Sequence, residues 1–238
     1  MDKKQNLILP IAIVIAGIIV AGTIYYTSTK TNLTGGNNVA ATGETTPKQE
    51  EIKGPKEITS NDHVLGDPEA PLTFIVFTDL ECPWCKKFNE TTTQMMDEYG
   101  KQGKVELVFR HFPLDELHKK SRKEAEASEC AADLGGSEKF WQYINRVFEI
   151  TPSNDGLDLA ELPKIASYVD VDKNKFNECL NSGKFGQKVQ ENYDDAVASG
   201  GTGTPYFIII NKQGEKFPFS GYLPYQQLKI ILDQLLAK

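Results

Sequence analysis

Thr78-Asp-Leu-Glu-Cys-Pro-Trp-Cys-Lys-Lys-Phe88 carries two cysteines, Cys82 and Cys85, separated by Pro83 and Trp84. The run before it, Leu72-Thr-Phe-Ile-Val-Phe77, is apolar and β-branched and reads as a buried strand. After it, Phe88, Met95, Met96 and Tyr99 recur at helical spacing, with Gly100 as a stop. The cysteines therefore stand where a strand hands over to a helix, with Pro83 near the first helical position, where its missing N–H costs nothing. A helix N-terminus stabilises an anion through its free N–H groups and dipole. A thiolate at Cys82 is thus expected to form below the free thiol value of about 8.5.

The C-x-x-C spacing alone also occurs in zinc knuckles; a strand before it and a helix after it favour redox chemistry. Cys130 and Cys179 lack the paired spacing that would complete a four-cysteine zinc site. On their own they read either as a bridge or as two buried thiols. Farther along, Gly200-Gly-Thr-Gly-Thr-Pro-Tyr-Phe-Ile-Ile-Ile210 is a glycine-rich loop, a Thr-Pro step and an apolar strand.

Here the chain resembles the thioredoxin superfamily, and more closely the DsbA-like thiol oxidoreductases that carry an N-terminal membrane anchor. The resemblance rests on His63-Val-Leu-Gly-Asp-Pro-Glu-Ala-Pro-Leu72, on Asp79 through Phe88, and on Phe109-Arg-His-Phe-Pro-Leu114. It continues through Glu129-Cys130-Ala131, Lys139-Phe-Trp141 and Gly203-Thr-Pro-Tyr-Phe207, and covers roughly residues 61–238. It implies an α/β, thioredoxin-like fold with a helical insertion at about 114–199. It also implies a redox-active Cys82–Cys85 disulfide faced by Thr204 and a cis Pro205, and a structural disulfide between Cys130 and Cys179. The implied activity is disulfide donation to thiols of unfolded, exported proteins. A quinone-linked membrane reoxidase, DsbB-like or vitamin K epoxide reductase-like, would recycle the pair. No cofactor and no metal is implied. Two positions depart from the pattern. Val76 stands six residues before Cys82, where thioredoxins bury an acid, and Trp84 stands where bacterial DsbA proteins often place a histidine.

Toward the N-terminus, residues 7–26 are uncharged and mostly apolar, long enough to cross a bilayer. Lys3 and Lys4 precede them, so the positive-inside rule keeps the N-terminus in the cytoplasm and sends the rest outside. The expected organisation is an N-terminal anchor over 1–28, preferred over a cleaved signal peptide, a flexible linker over 29–60, and the folded domain over 61–238. The linker is poor in large apolar residues and would reach about 30 Å. Disulfides persist outside the cytoplasm.

Within the domain, Val105-Glu-Leu-Val-Phe109 reads as a second strand, parallel to the first across the cysteine helix. The insertion divides into a helix opened by Ser137, one opened by a capping box of Asp158 and Glu161, a short one between Asp172 and Gly183, and one over about 184–198. Tyr206 to Ile210 and Glu215 to Phe219 form a hairpin, an edge strand because of Pro218, and Pro224 opens a last helix. A formal charge of −7 gives no reason to expect nucleic acid binding. Asp79, Glu81, Lys86 and Lys87 read as a solvated charge cluster. His63, His111 and His118 read as surface or packing residues, and Trp84 and Tyr206 as either an apolar lip or core. The competing functions are a disulfide reductase or isomerase at the same site, or a non-catalytic thioredoxin-fold binding or chaperone module.

Overall fold

A computed structural model describes residues 54–237 of the chain. The expected anchor and most of the expected linker lie outside these residues. Among the described residues, no helix is long and apolar enough to cross a membrane.

The sheet grows from strand β2 (Leu72–Thr78), whose side chains alternate between two apolar layers. Leu72, Phe74 and Val76 enter the larger core, while Ile75 and Phe77 enter the smaller one on the opposite face. Burial on both faces explains the unbroken apolar run. Strand β3 (Val105–His111) pairs parallel to β2, with Phe74 level with Leu107. Helix α1 (Pro83–Glu98) forms the crossover between them. Strand β4 (Tyr206–Asn211) lies antiparallel on the other side of β2, and β5 (Lys216–Ser220) pairs with β4 at the edge. A three-residue strand, β1 (His63–Leu65), closes the opposite edge against β3, giving the order β1-β3-β2-β4-β5. The sequence reading has no counterpart for β1, because three residues are too few for a periodic signal.

The insertion is helical throughout its main elements. Helix α2 (Ser121–Ile150) runs through Gly136, whose φ of 77° breaks the regular backbone. The helix expected to open at Ser137 is therefore the second half of a longer, kinked element. Asp158 caps a single 3-10 turn (Leu159–Glu161) through the Ala160 N–H, and Glu161 pairs with Lys164 instead of reaching back. The expected capping box is thus only half made, and helix α3 (Leu162–Tyr168) follows with Pro163 in its first turn. Asp172 caps α4 (Lys173–Ser182) through the Asn174 and Lys175 N–H groups, and Gly183 (φ 66°) ends it. Helix α5 (Gly186–Ala198) packs Ala196 into the smaller core. Helix α6 (Tyr225–Leu236) returns Leu228, Leu232 and Leu235 to the larger one.

The domain starts earlier than the expected boundary at 61. The Lys56 N–H donates to Asp195 Oδ1 (2.8 Å), and the buried Arg110 guanidinium donates to the Lys56 and Glu57 carbonyls. Arg110 also binds Asp62 and Asp195 at 2.7 Å each. A charge this deep needs partners, and the segment from 56 to 62 supplies several of them.

Candidate active site

Cys82 is the N-cap residue of α1, with extended backbone angles (φ −77°, ψ 122°) and Pro83 at the start of the helix. Its sulfur meets the carbonyl of Thr204 at 3.5 Å, across the cis Thr204–Pro205 bond that leads into β4. The strand-to-helix turn and the proline loop thus converge on one sulfur. Cys82 is only 4% exposed and Cys85 2%. Both side chains are therefore largely shielded from solvent. What separates the two thiols is charge stabilisation. The Cys85 thiol donates a hydrogen bond to Cys82 and holds it down at about 6, against the opposing effect of burial. Thr204 and the Cys85 and Trp84 backbone N–H groups add to this stabilisation, as a helix N-terminus should. Burial pushes the Cys85 thiol well above the usual range, and its hydrogen bond to Cys82 and the Cys82 charge push the same way. At neutral pH the pair is a Cys82 thiolate beside a neutral Cys85 thiol.

Behind Cys85, Val76, Phe88, Leu107, Phe109 and Phe148 help line a cavity of about 10 Å³. No acid reaches this space from position 76. The acids lie instead in the turn before Cys82. Asp79 and Glu81 are fully buried, which overturns their reading as a solvated cluster. The Asp79 carboxylate accepts the Glu81 N–H (2.8 Å) and the Leu114 N–H (2.7 Å), and lies 3.0 Å from His118 Nδ1. The Asp79 carbonyl accepts the Cys82 N–H (3.2 Å). The Glu81 carboxylate accepts the Thr151 hydroxyl and the Gly156 and Leu157 N–H groups, tying down the loop after α2. Glu124 sits beside it with no donor to either carboxyl oxygen. Burial, the hydrogen bond to Glu81, and the charges of Glu81 and Asp79 push Glu124 up to about 10. Glu124 therefore keeps its proton and shares it with Glu81. Of the two lysines, Lys86 is half-buried and donates to the Thr151 carbonyl (2.7 Å), whereas Lys87 is exposed.

The three histidines are buried and paired. His118 belongs to the Asp79 turn. His63 and His111 both approach the Glu129 carboxylate, at 2.9 and 3.1 Å, with Lys188 Nζ at 2.6 Å. Among the described residues no group of side chains is arranged to hold a metal ion. Trp84 is 56% exposed and stacks on Tyr222 at 5.9 Å, whereas Tyr206 is a core residue whose hydroxyl donates to the Ser199 carbonyl. Cys130 and Cys179 are bonded to each other, with their Cα atoms 5.9 Å apart, joining α2 to α4. Sequence reasoning missed the Asp79–His118 and Glu81–Glu124 pairs. The four residues span 46 positions, and only the fold brings them together.

A family model described as Thioredoxin matches residues 58–233, about three quarters of the chain. The chain belongs to this family. Its solved relatives make it a DsbA-like oxidoreductase of the thioredoxin superfamily. Alpha-DsbA1 of Wolbachia pipientis is 27% identical with a TM-score of 0.65, over 76% of this chain and 93% of that one. DsbA2 of Pseudomonas aeruginosa is 27% identical with a TM-score of 0.62, over 76% and 97%. Oxidised BdbD of Bacillus subtilis shares the fold at 23% identity, with a TM-score of 0.68, over 78% and 97%. Among curated proteins, Na(+)/H(+) antiporter NhaA 3 of Salinispora tropica is 32% identical over 152 residues, which is 64% of this chain and 22% of the antiporter. The chain spans about a fifth of the length of the curated relatives it matches.

Proposed function

We propose that this chain is an extracytoplasmic, membrane-anchored enzyme that introduces disulfides into exported proteins through Cys82 and Cys85. The observation that carries the reading is the placing of Cys82 at the N-terminus of α1 against Thr204 and the cis Pro205, with Cys85 one turn on, an arrangement that lowers the Cys82 thiol to about 6. Stabilising the reduced form makes the disulfide form a stronger oxidant. A substrate thiolate attacks the Cys82 sulfur. A substrate–Cys82 bond forms, the Cys82–Cys85 bond breaks, and Cys85 leaves with the electron pair and takes up a proton. A second substrate thiolate then attacks the substrate sulfur and releases Cys82 as its stabilised thiolate. The substrate has lost two electrons and the enzyme has gained them. A quinone-linked membrane reoxidase, DsbB-like or vitamin K epoxide reductase-like, would take them onward. Thr204 and Pro205 line the approach, and Trp84 with Tyr222 offers an exposed aromatic surface to an unfolded chain.

Residues 7–26 with Lys3 and Lys4 support the anchor. The Cys130–Cys179 bridge supports an oxidising compartment. Protease added to spheroplasts should release the domain; protection of the whole chain would refute this topology. Equilibration with glutathione tests the chemistry. A potential near −120 mV is the expected result, a value near −180 to −270 mV makes the enzyme an isomerase or reductase, and one below about −300 mV makes the pair a structural bridge.

A further inference from the structure

The electrostatics of Cys82 leave a question that the cysteine motif does not answer. Neither Pro83 nor Trp84 carries a charge. Lys86 spends its ammonium on the Thr151 and Glu149 carbonyls, and Lys87 stands in solvent. The basic group built into the turn is His118, which arrives from the segment after β3. It is buried, and its Nδ1 lies 3.0 Å from the Asp79 carboxylate. Asp79 is also the residue that shapes the turn, taking the Glu81 N–H on its side chain and the Cys82 N–H on its carbonyl.

We infer that His118 is a charge-setting residue for Cys82: clamped on Asp79, it holds an imidazolium against the turn from which Cys82 projects and stabilises the thiolate that leaves during exchange. The inference rests on the thiol–disulfide chemistry proposed above and deepens it. His118 is not in contact with the reacting sulfurs and acts on them through its field. Burial alone would discharge the imidazole, but the hydrogen bond and charge of Asp79, and then the charges of Cys82 and Asp155, raise it above its ordinary value. The groups around it come from four segments: Asp79 from the turn after β2, Cys82 from the cap of α1, Asp155 from the loop after α2, and the Glu81–Glu124 pair beyond Asp79. Asp155 is itself held by the Lys119 and Lys120 N–H groups, and Lys120 Nζ binds the Asp155 and Leu157 carbonyls. A proton on His118 favours a charge on Cys82, and a charge on Cys82 must favour that proton equally.

That reciprocity gives a test on the unmodified protein. His118 should be titrated by NMR in the dithiol form and again after diamide has closed the Cys82–Cys85 bond. The expected result is a higher pKa in the dithiol form, by on the order of one unit. Equal values in the two forms overturn the proposal. The second measurement uses His118→Gln, which keeps a polar side chain beside Asp79 but cannot be charged. Its Cys82 thiolate absorbance should titrate about one unit higher, and its equilibrium with glutathione should become less oxidising by up to about tenfold. A folded variant in which neither quantity moves also overturns the proposal, and if the variant does not fold, the wild-type titrations decide. A wild-type disulfide that fails to exchange with glutathione removes the oxidase reading. The difference between the two His118 titrations still decides this one.

Discussion

The two cysteine pairs of this chain share a chemistry and differ in everything around it. Cys130 and Cys179 project from the middle of one helix and the last turns of another, with Phe140, Phe176 and Leu180 in the same apolar cluster. Cys82 and Cys85 sit on the first turn of α1, where two backbone N–H groups, Thr204 and each other's thiol act on the sulfurs. Past the first turn of a helix the backbone N–H groups are already satisfied within it, so they have nothing to offer a thiolate. A bond made between Cys130 and Cys179 gives up no stabilised anion. A bond made between Cys82 and Cys85 gives up the thiolate at about 6, and it is therefore the one poised to be reduced.

Removing each sulfur puts the contrast under the greatest strain. Cys82→Ala should abolish mixed disulfides and turnover together, although Cys85 remains. Cys85→Ala should leave substrates trapped on Cys82, because the resolving thiol is gone. Electrophoresis without reductant separates the two outcomes, and trapping by the Cys82 variant would reverse the assignment. The paired change Cys130→Ala with Cys179→Ala should behave oppositely, leaving exchange intact and lowering stability. The loop it opens has a sequence separation of 49, worth on the order of 4 kcal/mol in the chain-entropy account. Denaturant unfolding measures that loss, and a change in Cys82 reactivity in this variant would break the separation of roles.

How far such a contrast can be read from sequence depends on the range of the interactions. The β2–α1 junction is written in consecutive residues, because an apolar strand, Pro83 and a helical period are local signals. The same holds for Pro205 before β4, for Asp172 and Gly183 around α4, and for Pro218 on an edge strand. The charged underside of the site is not local. Asp79, Glu81, His118 and Glu124 are ordinary polar residues until β3 and α2 fold them beneath the turn. Side-chain identity alone gave no reason to bury them, since charged residues are seldom fully buried unless paired. Their partners are other charges and backbone N–H groups supplied by distant loops. Even the solvent exposure of Cys82 depends on the Thr204 loop more than 100 residues away.

Glu124 gives a pH test of the same contrast. Its carboxyl titrates near 10 in the folded protein and near the ordinary carboxylate value when unfolded. The raised value means that its stabilising contribution is full below about pH 4 and is lost steadily as pH rises toward 10. At pH 7 the accumulated cost is on the order of 3 kcal/mol. Glu124→Gln keeps the donor to Glu81 without an ionisable proton, so it should flatten this fall and unfold later than the parent at pH 8. Urea midpoints at pH 5 and pH 8 check it. Equal pH slopes for the two proteins would mean that Glu124 is ionised.

The smallest effect should come from Thr204, and it isolates the contribution of the proline loop to the Cys82 thiolate. Its hydroxyl is buried with no hydrogen-bonding partner within ordinary distance, yet its side chain lies where it lowers both Cys82 and Cys85. Replacement by valine keeps the branched shape and removes the O–H. A buried hydroxyl without a strong partner contributes little to stability, so Thr204→Val should unfold within about 1 kcal/mol of the parent. The Cys82 titration should nevertheless rise above 6 by a fraction of a unit, since Cys85 and the helix N–H groups remain. The sign for the reduced protein follows. A depressed thiol stabilises the folded form above the unfolded value and loses that stabilisation as pH falls through the folded one. The variant should therefore have less of it to lose, and should finish losing it at a higher pH than the parent does. Thiolate absorbance against pH, alongside urea unfolding of the reduced forms, measures both quantities. An unchanged Cys82 titration would assign the thiolate to Cys85 and the α1 N-terminus alone, leaving the cis-proline loop to shape the approach of the substrate.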